Sequence, residues 1–149
     1  MRFMLIVKAN KDSEAGILPS EQGLAAMAKF NEELVKAGVL LDAQGLKASS
    51  HGARVSFSGG KVRVIDGPFT ETKELIAGYW VIQVKSREEA IEWAKRAPFN
   101  QIPDHKGEAE VEIRPFFELE DFGPSQAVEH HREVGKQISK TGAVSTAQH

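Results

Sequence analysis

The stretch VIDGPFTETKELIAGYWVIQV, residues 64–84, is the most informative part of the sequence, because it places a sharp turn and a polar segment between two apolar runs. Its last eight residues combine aromatic and β-branched side chains, a composition typical of a buried strand. Asp66 and Gly67 are a dipeptide typical of turns, since Asp bonds nearby backbone N–H groups and Gly accepts positive φ. Pro68 fixes φ and removes a donor. We therefore predict a strand, a turn, a polar connection and a second strand.

The segment before this stretch begins with another strand and a helix. The continuous apolar run 3–7 predicts a first strand. Ser20 is placed to cap a helix that ends at Gly38. Apolar residues recur in that helix at steps of three and four, which predicts an inward face of Met27, Phe30, Leu34 and Ala37.

Two alternating runs, 53–57 and 62–66, flank a connection of Ser58, Gly59, Gly60 and Lys61 and predict a β-hairpin. After the strand at 77–84, Ser86 and Glu89 have the spacing of a capping box. The helix that follows is predicted to end before Pro98 and to turn inward Ala90, Trp93, Ala94 and Ala97. Alternation in EAEVEIRPFF, residues 108–117, predicts a last strand.

This order of elements predicts an α+β fold of the ferredoxin-like, split βαβ type, with an antiparallel sheet, two helices on one face and an inserted hairpin. The bare face of such a sheet needs a cover, and a second copy of the chain would supply it, so we expect a homodimer. We predict a domain at 1–118 and an extension at 119–149. The extension should form a polar helix after Pro124 and a disordered tail, TGAVSTAQH.

Composition excludes several classes of partner and site. Nineteen basic and twenty-one acidic residues give a net charge of −2, which disfavours nucleic acid. Apolar runs are too short to span a membrane, and the N-terminus does not read as a signal peptide, so a cytoplasmic location is expected. The absence of cysteine removes thiolate nucleophiles and disulfides. His130 and His131 are adjacent and point about 100° apart on a helix, so we predict no metal site, and no cofactor is expected.

Five segments resemble the YCII-related proteins of the DGPF subgroup: MRFMLIVKA, EELVKAGVLLDAQGL, the stretch 64–84, AIEWAKRAP and VEIRP. The resemblance covers Met1 to Phe117. It implies a dimeric α/β barrel built from ferredoxin-like units. Most members have no assigned reaction, and some are linked genomically to alternative sigma factors. A histidine in the first helix and a later aspartate are a proposed catalytic pair in the wider family. The position of that histidine falls near Met27, and the first helix of this chain has none.

The polar segment 70–74 is the first candidate for chemistry. Asp66, Glu71 and Lys73 are candidate catalytic residues, because carboxylates near an amine can exchange protons with a bound molecule if burial moves a carboxyl pKa toward neutrality. For Asp66 a turn-forming role is the favoured interpretation. For 70–74 a solvated connection, whose Glu and Lys pair with each other or with Arg63, is an equal alternative.

Six further residues are candidates for ligand binding. Phe69 is interpreted first as a core residue and second as a wall against substrate. Tyr79 and Trp80 are neighbours on a strand and should face opposite sides, one of them toward the helices. His51 and His105 lie in polar loops, where a surface histidine usually has no role; the alternative is that the loop carries the imidazole over a pocket. The ligand-binding set is Arg63, Phe69, Glu74, Tyr79, Trp80 and His51.

Three functions remain open at this point. The first is a small-molecule enzyme that uses acid/base residues in a dimer-associated cleft, with Lys73 or Arg63 steadying an anion. The alternative is a noncatalytic small-molecule-binding or regulatory module, one version of which serves alternative sigma-factor systems. A purely structural oligomer is the third, and it requires that Phe69 and Trp80 fill the cleft.

Overall fold

The computed structural model describes residues 1–101 and 108–140, and the chain divides into two compact units, Met1–Arg114 and Pro115–His149. The first unit holds most of the helices and strands. In chain order these are β1 (Arg2–Lys8), α1 (Lys11–Glu14), α2 (Glu21–Lys36), β2 (Leu40–Gly45), β3 (Ala53–Ser58), β4 (Lys61–Asp66), β5 (Ile76–Gln83), α3 (Arg87–Lys95) and β6 (Val111–Pro115).

The strands form two separate sheets. One has four strands in the order β2-β5-β1-β6, and β5 runs antiparallel to both β1 and β2. The other contains only β3 and β4, an antiparallel hairpin. The predicted α+β class with an antiparallel sheet is confirmed, and the strand order is compatible with the ferredoxin-like fold.

The core lies on one face of the four-stranded sheet. Phe3 pairs across the strands with Ile82, and Leu5 pairs with Trp80, so that alternation brings all four to the same side. Both α2 and α3 cover this side, and their buried members of the cluster are Phe30, Leu34 and Ala90. Burial of each large apolar side chain contributes about 1.5–3 kcal/mol, which makes this layer the main source of stability.

Helix α2 follows its predicted boundaries closely. The Ser20 hydroxyl accepts the Gly23 N–H at 3.1 Å, and Gly38 after the helix has a φ of +73°. Of the four residues predicted to face inward, Phe30 and Leu34 are buried and Met27 is half-buried. The prediction for Ala37 is wrong, because the helix ends one residue earlier and leaves it exposed.

Helix α3 starts differently from its predicted capping box. The Ser86 hydroxyl accepts the Glu89 N–H at 3.2 Å, as expected. The Glu89 carboxylate, however, accepts the N–H of Lys85 rather than that of Ser86. One further helix was not predicted: α1 is a single turn with a capping box between Asn10 and Ser13.

The second unit contains a short turn of 3₁₀ helix, Leu119–Phe122, and helix α4 (Gln126–Lys140). The Phe117 and Phe122 rings lie 5.1 Å apart within this unit. The predicted disordered tail at 141–149 and the candidate His105 lie outside the described residues, and the domain limit at 118 stays a prediction. None of the helices in 1–101 and 108–140 combines the length and apolar composition that crossing a bilayer requires.

Candidate functional site

A cleft of about 800 Å³ opens in the first unit between α2, the α1 turn and the ends of β2 and β5. Its volume falls in the range of small-molecule sites, and its lining is mostly apolar. The apolar side chains that line it include Val7, Leu18, Leu24, Met27, Trp80 and Phe99. The polar residues of the lining are fewer, and Asn10, Ser13, Asn31 and His51 are among them.

Trp80 is held rigidly where the cleft meets the core. Its side chain is almost wholly buried, and its indole Nε1–H donates to the Oδ1 atom of Asn31 at 2.7 Å. The Phe30 ring meets it edge-on, with ring centroids 5.3 Å apart and an interplanar angle of 87°. This edge-to-face packing and the hydrogen bond fix the indole in one orientation.

One rim of the cleft is the short 3₁₀ turn Ser49–His51, which we call the rim loop. The backbone N–H of Ser49 donates to the Glu14 Oε2 atom at 2.8 Å. Glu14 is the last residue of α1, whose neighbours Asn10 and Ser13 line the same cleft. The rim loop is therefore tied to the α1 turn by a hydrogen bond to a charged group, a stronger class than a neutral bond.

The turn Asp66–Phe69 forms two further hydrogen bonds, one with the rim loop and one with the residue that follows it. The Gly67 N–H donates to the Gly52 carbonyl at 3.0 Å, and the Phe69 N–H donates to the Ser49 hydroxyl at 3.0 Å. The Gly67–Pro68 peptide bond is cis. This turn thus holds in place the loop that carries His51.

The reason for glycine at position 67 differs from the predicted one. Gly67 does not have a positive φ. A Cβ atom there would lie 1.8 Å from the backbone oxygen of Ser49, far inside van der Waals contact. Close approach of two backbones, rather than backbone conformation, therefore requires glycine.

Phe69 lies outside the core cluster, so its first interpretation as a core residue is wrong. It is half-buried, and the Arg54 guanidinium sits 3.9 Å above its ring centroid. This contact is a cation–π pair between the hairpin and the turn. It fastens the base of the hairpin to the segment that holds the rim loop.

The other sequence candidates fall into two groups. His51, Tyr79 and Trp80 line the cleft. Six candidates do not, and five of these are exposed: Arg63, Asp66, Glu71, Lys73 and Glu74. Among the residues described, these five form no ion pair, so the structure also lacks the charge pairing expected of a solvated connection.

Tyr79 has a polar partner on the neighbouring strand. Its hydroxyl donates to the Asp42 Oδ2 atom at 3.2 Å. Burial raises the pKa of the Tyr79 phenol, and the negative charge of Asp42 and the hydrogen bond to it raise it further. The other carboxylate oxygen of Asp42 accepts the Ala43 N–H and a Gln44 amide N–H. The raised pKa extends the protonated state of the Tyr79 phenol to higher pH than is usual for tyrosine.

Sequence reasoning missed Asn31, although a signal for it existed. Asn31 follows Met27 by four residues on α2, a spacing that places both on one helix face. Both Met27 and Asn31 line the cleft. A polar residue on an otherwise apolar helix face could have been recognised as a candidate.

Within the described ranges, no three His, Asp or Glu side chains lie close enough together to hold a metal ion.

Comparison with known proteins identifies the family of the chain. An uncharacterized protein of Rhizobium meliloti (strain 1021) is 32% identical over 75 residues, which are 50% of this chain and 60% of that protein. The match thus spans less than two thirds of the relative's length. The YCII-related domain profile matches residues 1–117, and the chain therefore belongs to the YCII-related domain family.

Proposed function

We propose that this protein binds a small, predominantly apolar molecule in the cleft between α2, the α1 turn and the sheet. The observation that carries the proposal is the cleft itself, about 800 Å³ in volume and walled by apolar side chains. Concave apolar sites with a few fixed polar groups are the usual form of small-molecule sites. Trp80 is packed into the core beside the cleft and leaves this volume open, which argues against the purely structural alternative.

Binding without catalysis is the version that the geometry favours. The proposed catalytic residues Asp66, Glu71 and Lys73 are exposed and lie outside the cleft. An acid/base role for them requires that another molecule, such as a second copy of the chain, brings a ligand to them. The regulatory version, with a link to alternative sigma factors, would use the same cleft as a sensor and rests on resemblance.

His51 favours the enzyme as a second candidate function. It lines the cleft on a loop that is held from two sides, and an imidazole is the side chain most suited to proton transfer near neutral pH. In this version His51 replaces the family's helix histidine as acid/base. Loss of turnover in His51→Gln with retained ligand affinity would support it, once a substrate is found.

We also propose that the chain forms a homodimer of the dimeric α/β barrel type, belongs to the DGPF subgroup and works in the cytoplasm. The subgroup proposal rests on Asp66–Phe69 and the residues after it. Support for the dimer comes from apolar side chains that the single chain leaves exposed on the hairpin: Val55, Phe57, Val62 and Val64. Sedimentation equilibrium of the full chain would test the dimer.

A fluorescent probe of apolar sites, 1-anilinonaphthalene-8-sulfonate, would test the proposed site. We expect the wild type to bind it and Met27→Trp to bind it less, because the larger ring fills the cleft. The exposed hairpin is a competing location for the probe, so Phe57→Ser is the matched control. If Phe57→Ser abolishes the signal and Met27→Trp leaves it unchanged, the probe binds the hairpin and the cleft proposal fails.

A further inference from the structure

We propose that Asn31 determines the ligand class of the cleft by donating to a carbonyl or carboxylate oxygen of an otherwise apolar molecule. This inference rests on the proposed function, since it concerns the same cleft. Its basis is the hydrogen bond between the Trp80 indole and the Asn31 side chain, which fixes what Asn31 offers to a ligand.

The chemistry of the two side chains assigns the orientation of the amide. An indole N–H can only donate, so the atom that it meets at 2.7 Å must be the amide oxygen and not the nitrogen. The oxygen and nitrogen of an asparagine amide have nearly the same shape, so only their hydrogen bonds tell them apart. Trp80 is buried and packed edge-on against Phe30, so it keeps the amide in this one state.

The amide nitrogen is left to face other partners. It carries two N–H donors, and in the described part of the chain no residue accepts from it. Asn31 is half-buried and lines the cleft, where its neighbours Met27 and Ala43 are apolar. A donor fixed among apolar walls favours a ligand that brings an acceptor to it and disfavours an isostere without one.

Two closely matched probes test this reading: 2-acetylnaphthalene, which carries a ketone oxygen, and 2-isopropenylnaphthalene, in which a CH₂ group replaces that oxygen. We expect the wild type to bind the ketone about 2- to 10-fold more tightly, the range of one neutral hydrogen bond. Isothermal titration calorimetry on the full chain gives both affinities. A third probe, 2-naphthoate, separates a carboxylate preference from a ketone preference.

Asn31→Asp is the decisive variant, because it keeps an oxygen for the Trp80 N–H and replaces the donors by an acceptor. We expect the ketone preference to vanish, and 2-naphthoate to lose more affinity than the ketone through repulsion of like charges. Asn100→Asp adds the same charge at an exposed position outside the cleft, and it should leave the affinities of the two neutral probes unchanged.

The outcomes separate the two proposals. Equal binding of ketone and alkene by the wild type, with both blocked in Met27→Trp, would overturn the role of Asn31 and leave the cleft proposal standing. A ketone preference that survives in Asn31→Asp would also overturn it. If none of the three probes binds the wild type, or if Met27→Trp does not weaken their binding, the cleft proposal fails and the Asn31 inference fails with it.

Discussion

The four-stranded sheet and the β3–β4 hairpin share the same apolar alternation but differ in what covers it. In the sheet, the cross-strand pairs Phe3–Ile82 and Leu5–Trp80 are buried beneath two helices. In the hairpin, the equivalent pairs are Val55–Val64 and Phe57–Val62, and each of these four side chains is 54–77% exposed. Alternation therefore predicts a strand, whereas burial requires a second layer, and none of the residues that the structure describes forms one over these hairpin side chains.

A two-stranded hairpin is marginally stable by itself, so its attachment matters. This hairpin is fastened at its base, where Gly67 and Phe69 bond to the rim loop and Arg54 covers the Phe69 ring. The hairpin is thus held in place by backbone hydrogen bonds and one cation–π pair, whereas the sheet is held by apolar packing. Each of the following substitutions probes one side of this contrast.

The strongest destabilisation should come from a substitution in the sheet. Leu5 is fully buried, and Leu5→Ala should lower the free energy of unfolding by about 2–5 kcal/mol, because it leaves a cavity in the core. Phe57→Ala in the hairpin removes a larger side chain but should cost less than about 0.5 kcal/mol, as for an exposed position. Urea unfolding of both variants measures the difference. A cost for Phe57→Ala near that of Leu5→Ala would mean that another copy covers the hairpin.

The next effect concerns the junction of hairpin and cleft. Gly67→Ala should destabilise the fold by about 1–3 kcal/mol, since the added methyl group collides with the Ser49 backbone. Gly45→Ala is the matched control, because its Cβ meets nothing within 4 Å and its φ is not positive. Thermal unfolding compares the two. Equal stability of the variants would show that the contact with Ser49 is not rigid.

A smaller effect is expected at Arg54. Arg54→Ala should cost about 0.5–1 kcal/mol by removing the cation–π contact with Phe69. Arg63→Ala, at an exposed hairpin position without a described partner, serves as the control and should be nearly neutral. Urea unfolding of both variants in parallel measures the difference in their free energies of unfolding. Similar losses of unfolding free energy in the two variants would show that backbone hydrogen bonds alone hold the base of the hairpin.

The smallest effect on stability is a pH effect in the sheet. The folded pKa of Tyr79 is raised above 10.0, so its stabilising contribution is complete below that pH and is lost as pH rises through the folded pKa. Asp42→Asn should lower this pKa, although burial keeps it above the usual value. Tyr79 is the chain's one tyrosine, so ultraviolet absorbance of the phenolate reports it directly. An unchanged titration curve would exclude the influence of Asp42.

Most of the fold could be predicted because its signals are local or periodic. Caps such as Ser20 act within one turn of helix, and the inward faces of α2 and β5 follow from periods of 3.6 and 2 residues. The errors are local too. Ala37 was placed inside a helix that ends one residue before it, and the α1 turn is too short to show a period.

The candidate site was harder to predict, because it depends on contacts far apart in sequence. Ser49 and Phe69 are twenty residues apart, and Trp80 meets Asn31 across forty-nine. No periodicity reveals such pairs. The sequence drew attention to the charges of 66–74, whereas the cleft is lined mostly by apolar side chains, and its charged members are Lys8, Asp12 and Lys47.

The attachment of the rim loop at two places is useful for protein engineering. Its two grips, at Glu14 and at the turn Asp66–Phe69, lie on different parts of the chain. A library of substitutions at positions 66, 68 and 69, with Gly67 kept, would therefore change the support of the rim loop while leaving Met27, Asn31 and Trp80 untouched. Selectivity could then be altered through the turn, and affinity through the residues that line the cleft, as two separate design variables.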